Sequence, residues 1–176
     1  MIKTTKKLTK INKEKAQTLV EFAIVFPIVL LITYGLIEFG RMMFIYSAVT
    51  GAAREGARYG AAAGGIGGTP QYADCAGIRK AVRSVAFLIN IPNSNIFISY
   101  DKGPGLATVA SSCENLVTMV SNHADPIDVG ERIGYRIIVQ VTAQYEPMIG
   151  GFLGVSGFPI ISKNSRTILV NIPIEP

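Results

Sequence analysis

The sequence predicts an α+β protein in which a long N-terminal transmembrane helix leads into a small extracytoplasmic domain with a helix and an antiparallel sheet. Three observations carry this expectation. Sixteen consecutive uncharged residues run from Phe22 to Ile37. A stretch rich in Ala, Gly and Met, free of proline, continues to Ala63 and ends in a glycine cluster. Beyond that cluster, one amphipathic helical pattern is followed by segments alternating with the period of a strand.

The bulk composition agrees with an anchored chain. Its 176 residues suffice for one modest domain plus an anchor. Charged residues are sparse at 16% and mean hydropathy is +0.36, which leans towards membrane attachment. The net charge of +5 is entirely local. Lys3, Lys6, Lys7, Lys10, Lys13 and Lys15, set against Glu14, account for all of it, while residues 17–176 hold eleven groups of each sign. No basic stripe exists outside this tail, so nucleic acid is not an expected partner. The expected organisation is a basic cytoplasmic leader at 1–16, a long helix at 17–63 with its span at about 17–38, a Gly-rich linker at 64–70, and an outer domain at 71–176.

The span is long enough to cross. From Ala16 to Ile37 the helix would measure roughly 33 Å, against about 30 Å of bilayer hydrocarbon. The preceding lysines set its direction by the positive-inside rule. The N-terminus is expected in the cytoplasm and everything after Arg41 outside, with membrane lipid as the first partner. Pro27 is expected to kink the span and is tolerated there. A cleaved secretory signal is the competing reading. It would need a shorter apolar region and a small-residue cleavage site, where this chain has "EFGRMMFIY".

The helix is expected to continue past the membrane through "MMFIYSAVTGAAREGARYGAAA", giving about 70 Å in all from Gln17. Arg54 and Arg58 lie four apart on one face, and Glu55 is placed to pair with Arg58. Ala53, Ala57 and Ala61 form a small-residue row, beside a GxxxG step made by Gly56 and Gly60. Glycine costs helix stability relative to alanine, so close packing is the expected reason for it. Two uses stay open: approach of another helix, or rest of this helix on its own domain.

Two carboxylates mark the span, Glu21 just inside its apolar start and Glu38 one turn before Arg41. Glu38 and Arg41 can pair at i,i+3 and are read as marking the outer membrane edge. "QTLVEFAIVFPIVLLITYGLIEFGR" and "YSAVTGAAREGARYGAA" resemble the N-terminal region of TadE-like proteins, pilin-like subunits of the tight-adherence (Flp-type) pilus system. The resemblance is strong over residues 16–63. Further on it is one of pattern only, through "IIVQVTAQYEPMIGGFLG" and "RTILVNI". It implies a non-enzymatic minor pilin or pilus-assembly subunit acting in surface attachment, in the cell membrane or in the pilus. The implied partners are a prepilin peptidase, other pilin-like subunits and an inner-membrane pilus assembly platform. It also implies a cut between Ala16 and Gln17, leaving Glu21 as the fifth mature residue, facing a neighbouring subunit's N-terminal amine. This chain departs from the pattern by carrying Ala16 where such peptidases want glycine. Two alternatives stand beside these: Glu21 as a carboxylate reaching headgroup water, and the protein as a permanently anchored extracytoplasmic binding module. Arg54 and Arg58, with Glu38 and Arg41, are further candidates for subunit contact.

In the outer part, "AAAGGIGGTP" reads as a linker ending the long helix. Residues 74–90 read as an amphipathic helix through Ile78, Val82, Val85, Phe87 and Leu88, stopped by Pro92. "NIFISYD" reads as a strand with Ile96, Ile98 and Tyr100 on one face and Phe97 on the other. "IGYRIIVQVTAQYEP" alternates best of all, "MIGGFLGVSGFPI" is an apolar Gly-rich connection, and "SKNSRTILVNI" is the last strand. Cys75 and Cys113, the only cysteines, favour one disulfide in an oxidising compartment; two buried thiols are the alternative.

No catalytic, metal or cofactor constellation is expected. His123 stands alone in a polar loop. "GVSGF" has the wrong spacing for a nucleophile elbow, and "GGIGG" is followed by "TP", not by a helix start. Asp125, Asp128 and Glu131 do not fit a calcium loop and read as a solvated turn. The apolar stretch "MIGGFLGVSGF" is left between three uses: touching a partner, touching the membrane surface, or capping the core.

Overall fold

The structure is a computed structural model that describes residues 13–127, 134–154 and 156–168. It resolves into two compact units, Met1–Arg41 and Met42–Pro176, with the first helix, α1 (Lys13–Gly60), contributing to both. Within the first unit, the described residues are α1 alone. Leu19, Phe22, Ile24, Leu31, Leu36 and Ile37 all expose more than half of their surface. Apolar residues project on every side, as a lipid-facing helix requires. Pro27 lies inside the helix without interrupting it.

The second unit begins with the rest of α1 and is built on a four-stranded antiparallel sheet. Its strands are β3 (Ile96–Asp101), β4 (Thr108–Ala110), β5 (Arg136–Tyr145) and β6 (Phe158–Thr167), in the order β4-β3-β5-β6. The register places Ile98 opposite Val139 and Val139 opposite Asn164. Period-two alternation then divides the faces. Ile96, Ile98 and Tyr100 are buried while Phe97 is exposed. On β5, Ile137, Val139, Val141, Ala143 and Tyr145 are buried on the matching face.

That face is covered by helices. On α1, Val49, Ala52, Ala53 and Ala57 are fully buried, at the i, i+3, i+4 spacing of one helical stripe. Gly56 and Gly60 continue the stripe. A Cβ placed on Gly56 would lie 2.5 Å from Val82 Cγ2 and 3.2 Å from Val139 Cγ1. One placed on Gly60 would collide with Ile137 and Ile78. Of the two uses left open for the small-residue row, the structure shows the second: the row admits the sheet and α2 of its own domain.

Helix α2 (Cys75–Val85) is capped by Asp74, whose carboxylate accepts from the Gly77 amide at 2.9 Å. The other carboxylate oxygen accepts from the Tyr59 hydroxyl at 2.8 Å, tying α2 to α1. The helix ends five residues earlier than the sequence pattern suggests. Ile91 is drawn into the core at 3% exposure, and the residue before Pro92 is biased to extended geometry, so the chain must leave the helix before it.

Three further elements differ from the sequence reading. The glycine linker is a two-residue hairpin, β1 (Gly65–Ile66) with β2 (Thr69–Pro70). Its central residues, Gly67 and Gly68, both have positive φ (61° and 85°), the backbone that glycine supplies most readily. A third helix, α3 (Cys113–Ser121), follows β4; the Ser112 hydroxyl accepts from the Asn115 amide at 3.2 Å as its cap. A one-turn helix, α4 (Gly150–Leu153), lies within the β5–β6 connection. Strand β6 starts at Phe158, inside the stretch expected to be a connection, and the last expected strand residues, 169–172, lie outside the described residues. Helix α1 begins within the expected leader and ends at Gly60, three residues before the expected end.

Candidate anchoring and assembly surface

Ala16 and Gln17 lie in the first two turns of α1, exposed. Glu21 is exposed one turn further on and meets no cation among the described residues. Beside it, the Phe22 and Phe26 rings stack at 5.1 Å, as i,i+4 neighbours do. Glu38 and Arg41 pair at 3.4 Å, so the i,i+3 expectation is met within the helix itself. Among the described residues, one helix is long and apolar enough to cross a membrane, and it is α1.

Arg54 and Arg58 both point to solvent on the part of α1 that carries the outer domain. Arg58 donates to Glu55, at 2.5 Å from Nη2 and 2.8 Å from Nε. The hydrogen bond from Arg58 holds the Glu55 carboxyl below its usual range. Next to this pair, Arg58, Ala61, Ala62, Asn164, Arg166 and Thr167 line an open hollow between the end of α1 and the β6 edge.

Cys75 and Cys113 form a disulfide with a Cα–Cα distance of 5.8 Å. It joins the first turns of α2 and α3, so the staple links two helices. Arg79 of α2 pairs with Glu114 of α3 across the same seam. That hydrogen bond lowers the Glu114 pKa. Beneath the disulfide, the buried Tyr100 hydroxyl donates to the Tyr72 carbonyl at 2.5 Å and lies 3.3 Å from the Cys113 sulfur. Burial first, and the Glu114 charge second, push the Tyr100 phenol well above its usual value.

Asp125 is a buried structural acceptor. It takes the Tyr72 hydroxyl at 2.6 Å and the Ile127 amide at 2.9 Å, so its lone pairs serve the loop after α3. This replaces the expectation that Asp125 sits in a solvated turn; Asp128 and Glu131 lie outside the described residues. His123 is exposed, with φ of 55°. Among the described residues, no three His, Cys, Asp or Glu side chains are grouped to hold a metal ion.

The sequence reading did not anticipate the exposed apolar residues around α1 where it enters the outer domain. Met42, Met43, Tyr46, Phe158 and Ile160 line one hollow of about 330 Å³. Phe44, Gly51, Val85, Phe87 and Leu88 contribute to a second of about the same volume. The sequence singles out only the stretch around Met148, as an apolar connection. Phe87 and Leu88 fit the apolar face of a helix that stops short of them.

Residues 16–58 match the family model described as TadE-like protein. The TadE-like resemblance read from the sequence is therefore borne out over the segment that carries its motifs. The match takes in the apolar run and the small-residue stripe that packs on the sheet. No curated protein and no solved structure matches the chain significantly.

Proposed function

We propose that this chain is a minor pilin or pilus-assembly subunit of a tight-adherence pilus. It is held in the membrane by α1 before assembly, with its N-terminus in the cytoplasm and its α+β domain outside. It performs no catalysis. The observation that carries this reading is the coincidence of the TadE-like match with a helix whose residues 17–39 expose apolar side chains on all sides. Such a surface serves first for lipid and then for the helices of other pilin-like subunits. Glu21, which meets no cation among the described residues, sets register by meeting a neighbouring subunit's N-terminal amine, which offsets part of the cost of a lone carboxylate in hydrocarbon. The partners on this reading are a prepilin peptidase, other pilin-like subunits and the inner-membrane assembly platform. Arg54, and Arg58 beyond its pair with Glu55, are offered to subunit contact.

The second reading is a permanently anchored extracytoplasmic module that never enters a filament. Ala16, standing where a prepilin peptidase wants glycine, favours it. The mass and N-terminal sequence of the protein from native membranes separate the two. A chain beginning at Gln17 supports the pilin reading. A chain that keeps its lysines supports the fixed anchor. A chain beginning beyond Arg41 overturns both, because α1 would then be an export signal.

A further inference from the structure

We propose that the outer domain carries an apolar collar around α1 that is immersed in the headgroup layer of the membrane. The domain is thus seated on the bilayer and not held clear of it. This rests on the reading of α1 as a membrane helix and adds a second lipid-contacting surface to it.

The collar is built from two connections distant in sequence. The turn after α2 presents Phe87 at 77% and Leu88 at 66% exposure. The β5–β6 connection presents Met148 at 68%, three residues after Tyr145, whose ring packs on Phe158 at 5.2 Å. The turn after α2 and the start of β6, just past the β5–β6 connection, border the same short length of α1. Met42, Met43 and Tyr46 share one hollow with Phe158 and Ile160. Phe44 and Gly51 share the other with Phe87 and Leu88. Large apolar side chains on the turns of a water-exposed domain contribute nothing to its core, and contiguous exposed apolar surface marks an interaction site.

Continuity along α1 selects the occupant. Met42 comes five residues after Ile37, the last residue of the uncharged run, and Tyr46 four later. At about 1.5 Å per residue Met42 lies roughly 8 Å beyond the apolar run, at the outer part of a headgroup layer about 5–8 Å thick, and Tyr46 lies just past it. Residue types agree: tyrosine is enriched at this level, and phenylalanine and leucine suit the acyl boundary. Arg83 borders the Phe87–Leu88 turn, placing a cation where lipid phosphates lie.

The chain contains no tryptophan, so a single introduced one reports its own surroundings. Leu30→Trp, Phe87→Trp, Met148→Trp and Phe97→Trp would be made separately in the full chain. Each would be reconstituted into phosphatidylcholine vesicles containing a minority of phosphatidylglycerol, with or without bromine on the acyl carbons nearest the headgroup. Phe87, Met148 and Phe97 are all exposed, so these substitutions leave the core intact. The expected result is a roughly twofold or greater loss of emission from Trp at 87 and 148, with Trp at 97, on the open face of the sheet, unaffected. Trp at 30, near the middle of the span, reports the anchor and is quenched in companion vesicles brominated near the acyl chain ends. Quenching at 30 without quenching at 87 and 148 overturns the collar and leaves the anchor standing. No quenching at 30 overturns both. Equal quenching at 97 also overturns the collar, because the domain would then be touching lipid without regard to face.

Discussion

Replacing Gly56 by alanine separates a helix stripe that serves its own domain from one kept for another subunit. In a helix interior, alanine is favoured over glycine by about 1 kcal/mol. Against this stands the space. The new methyl would lie 2.5 Å from Val82 Cγ2 and 3.2 Å from Val139 Cγ1, and ordinary carbon contacts fall at about 3.5–4.0 Å. Both valines are fully buried and stiff at χ1, so neither can swing aside. Overpacking of this kind costs about 1–3 kcal/mol, which offsets or outweighs the propensity gain. The expected net is a loss of up to about 2 kcal/mol, or up to roughly 8 °C in Tm for a domain of this size. Gly51→Ala on the same helix is the internal comparison. Its methyl would meet only Val85 Cγ1, at 3.1 Å, and Val85 is 39% exposed and free to yield. That variant is expected to be neutral or more stable by up to about 1 kcal/mol. Thermal unfolding of the full chain in detergent micelles, followed through the near-ultraviolet signal of its tyrosines, measures both. If Gly56→Ala were as stable as Gly51→Ala, the small-residue stripe would not be confined by its own sheet, and the reasoning would fail.

Three other outcomes follow from contacts described above. Replacing Cys75 and Cys113 by alanine frees a loop whose ends are 38 residues apart, and the chain-entropy model sets the loss at about 4 kcal/mol; denaturant titration of the oxidised and double-alanine proteins measures it. Hydrogen bonds from arginine lower the pKa of Glu55, Asp101 and Glu114, so their contribution is complete above the unfolded-state values of roughly 4 and is lost as pH falls through the lower folded values. Tm should hold steady down to about pH 5 and then drop, and Asp101→Asn, which breaks the two-bonded pair with Arg136, should make the drop shallower. Tyr72→Phe removes the hydroxyl that the buried Asp125 carboxylate accepts, at an expected cost of about 1–3 kcal/mol by the same denaturant titration; an unchanged midpoint would mean that water replaces the hydroxyl.

The residues that were legible in sequence are those whose pattern alone determines their environment. Alternation in "IFISYD" and "RIIVQVTAQY" assigns each side chain a face, and the burial of β3 and β5 follows it except at Ile138, which is buried on the outer face. The unbroken apolar run likewise reads as a helix that enters the membrane, as a span or as an export signal. What stayed hidden depends on partners distant in sequence. The GxxxG step looks the same whether another subunit's helix or Val82 and Val139 fill the groove beside it. Helix α3 is short, and its signal is a serine cap with Leu116 buried one turn in, inside a stretch that reads as polar loop. The collar was obscured because Phe87 and Leu88 also fit the period of a helix, and only the demand of Ile91 for the core shows that the helix has already ended.

The core of the outer domain has an order in time as well as in space. Its first wall is the small-residue face of α1, and the strand that covers that face, β5, is made well after it, with β6 following. Cys75, Cys113 and the β3–β4 pair all precede β5, so the helices can be stapled while the small-residue face is still bare. Synthesis thus delivers the anchor first, the staple second and the lid of the core last. A chain interrupted before Arg136 would hold an anchor and a staple yet have only the β3–β4 pair to bury them against.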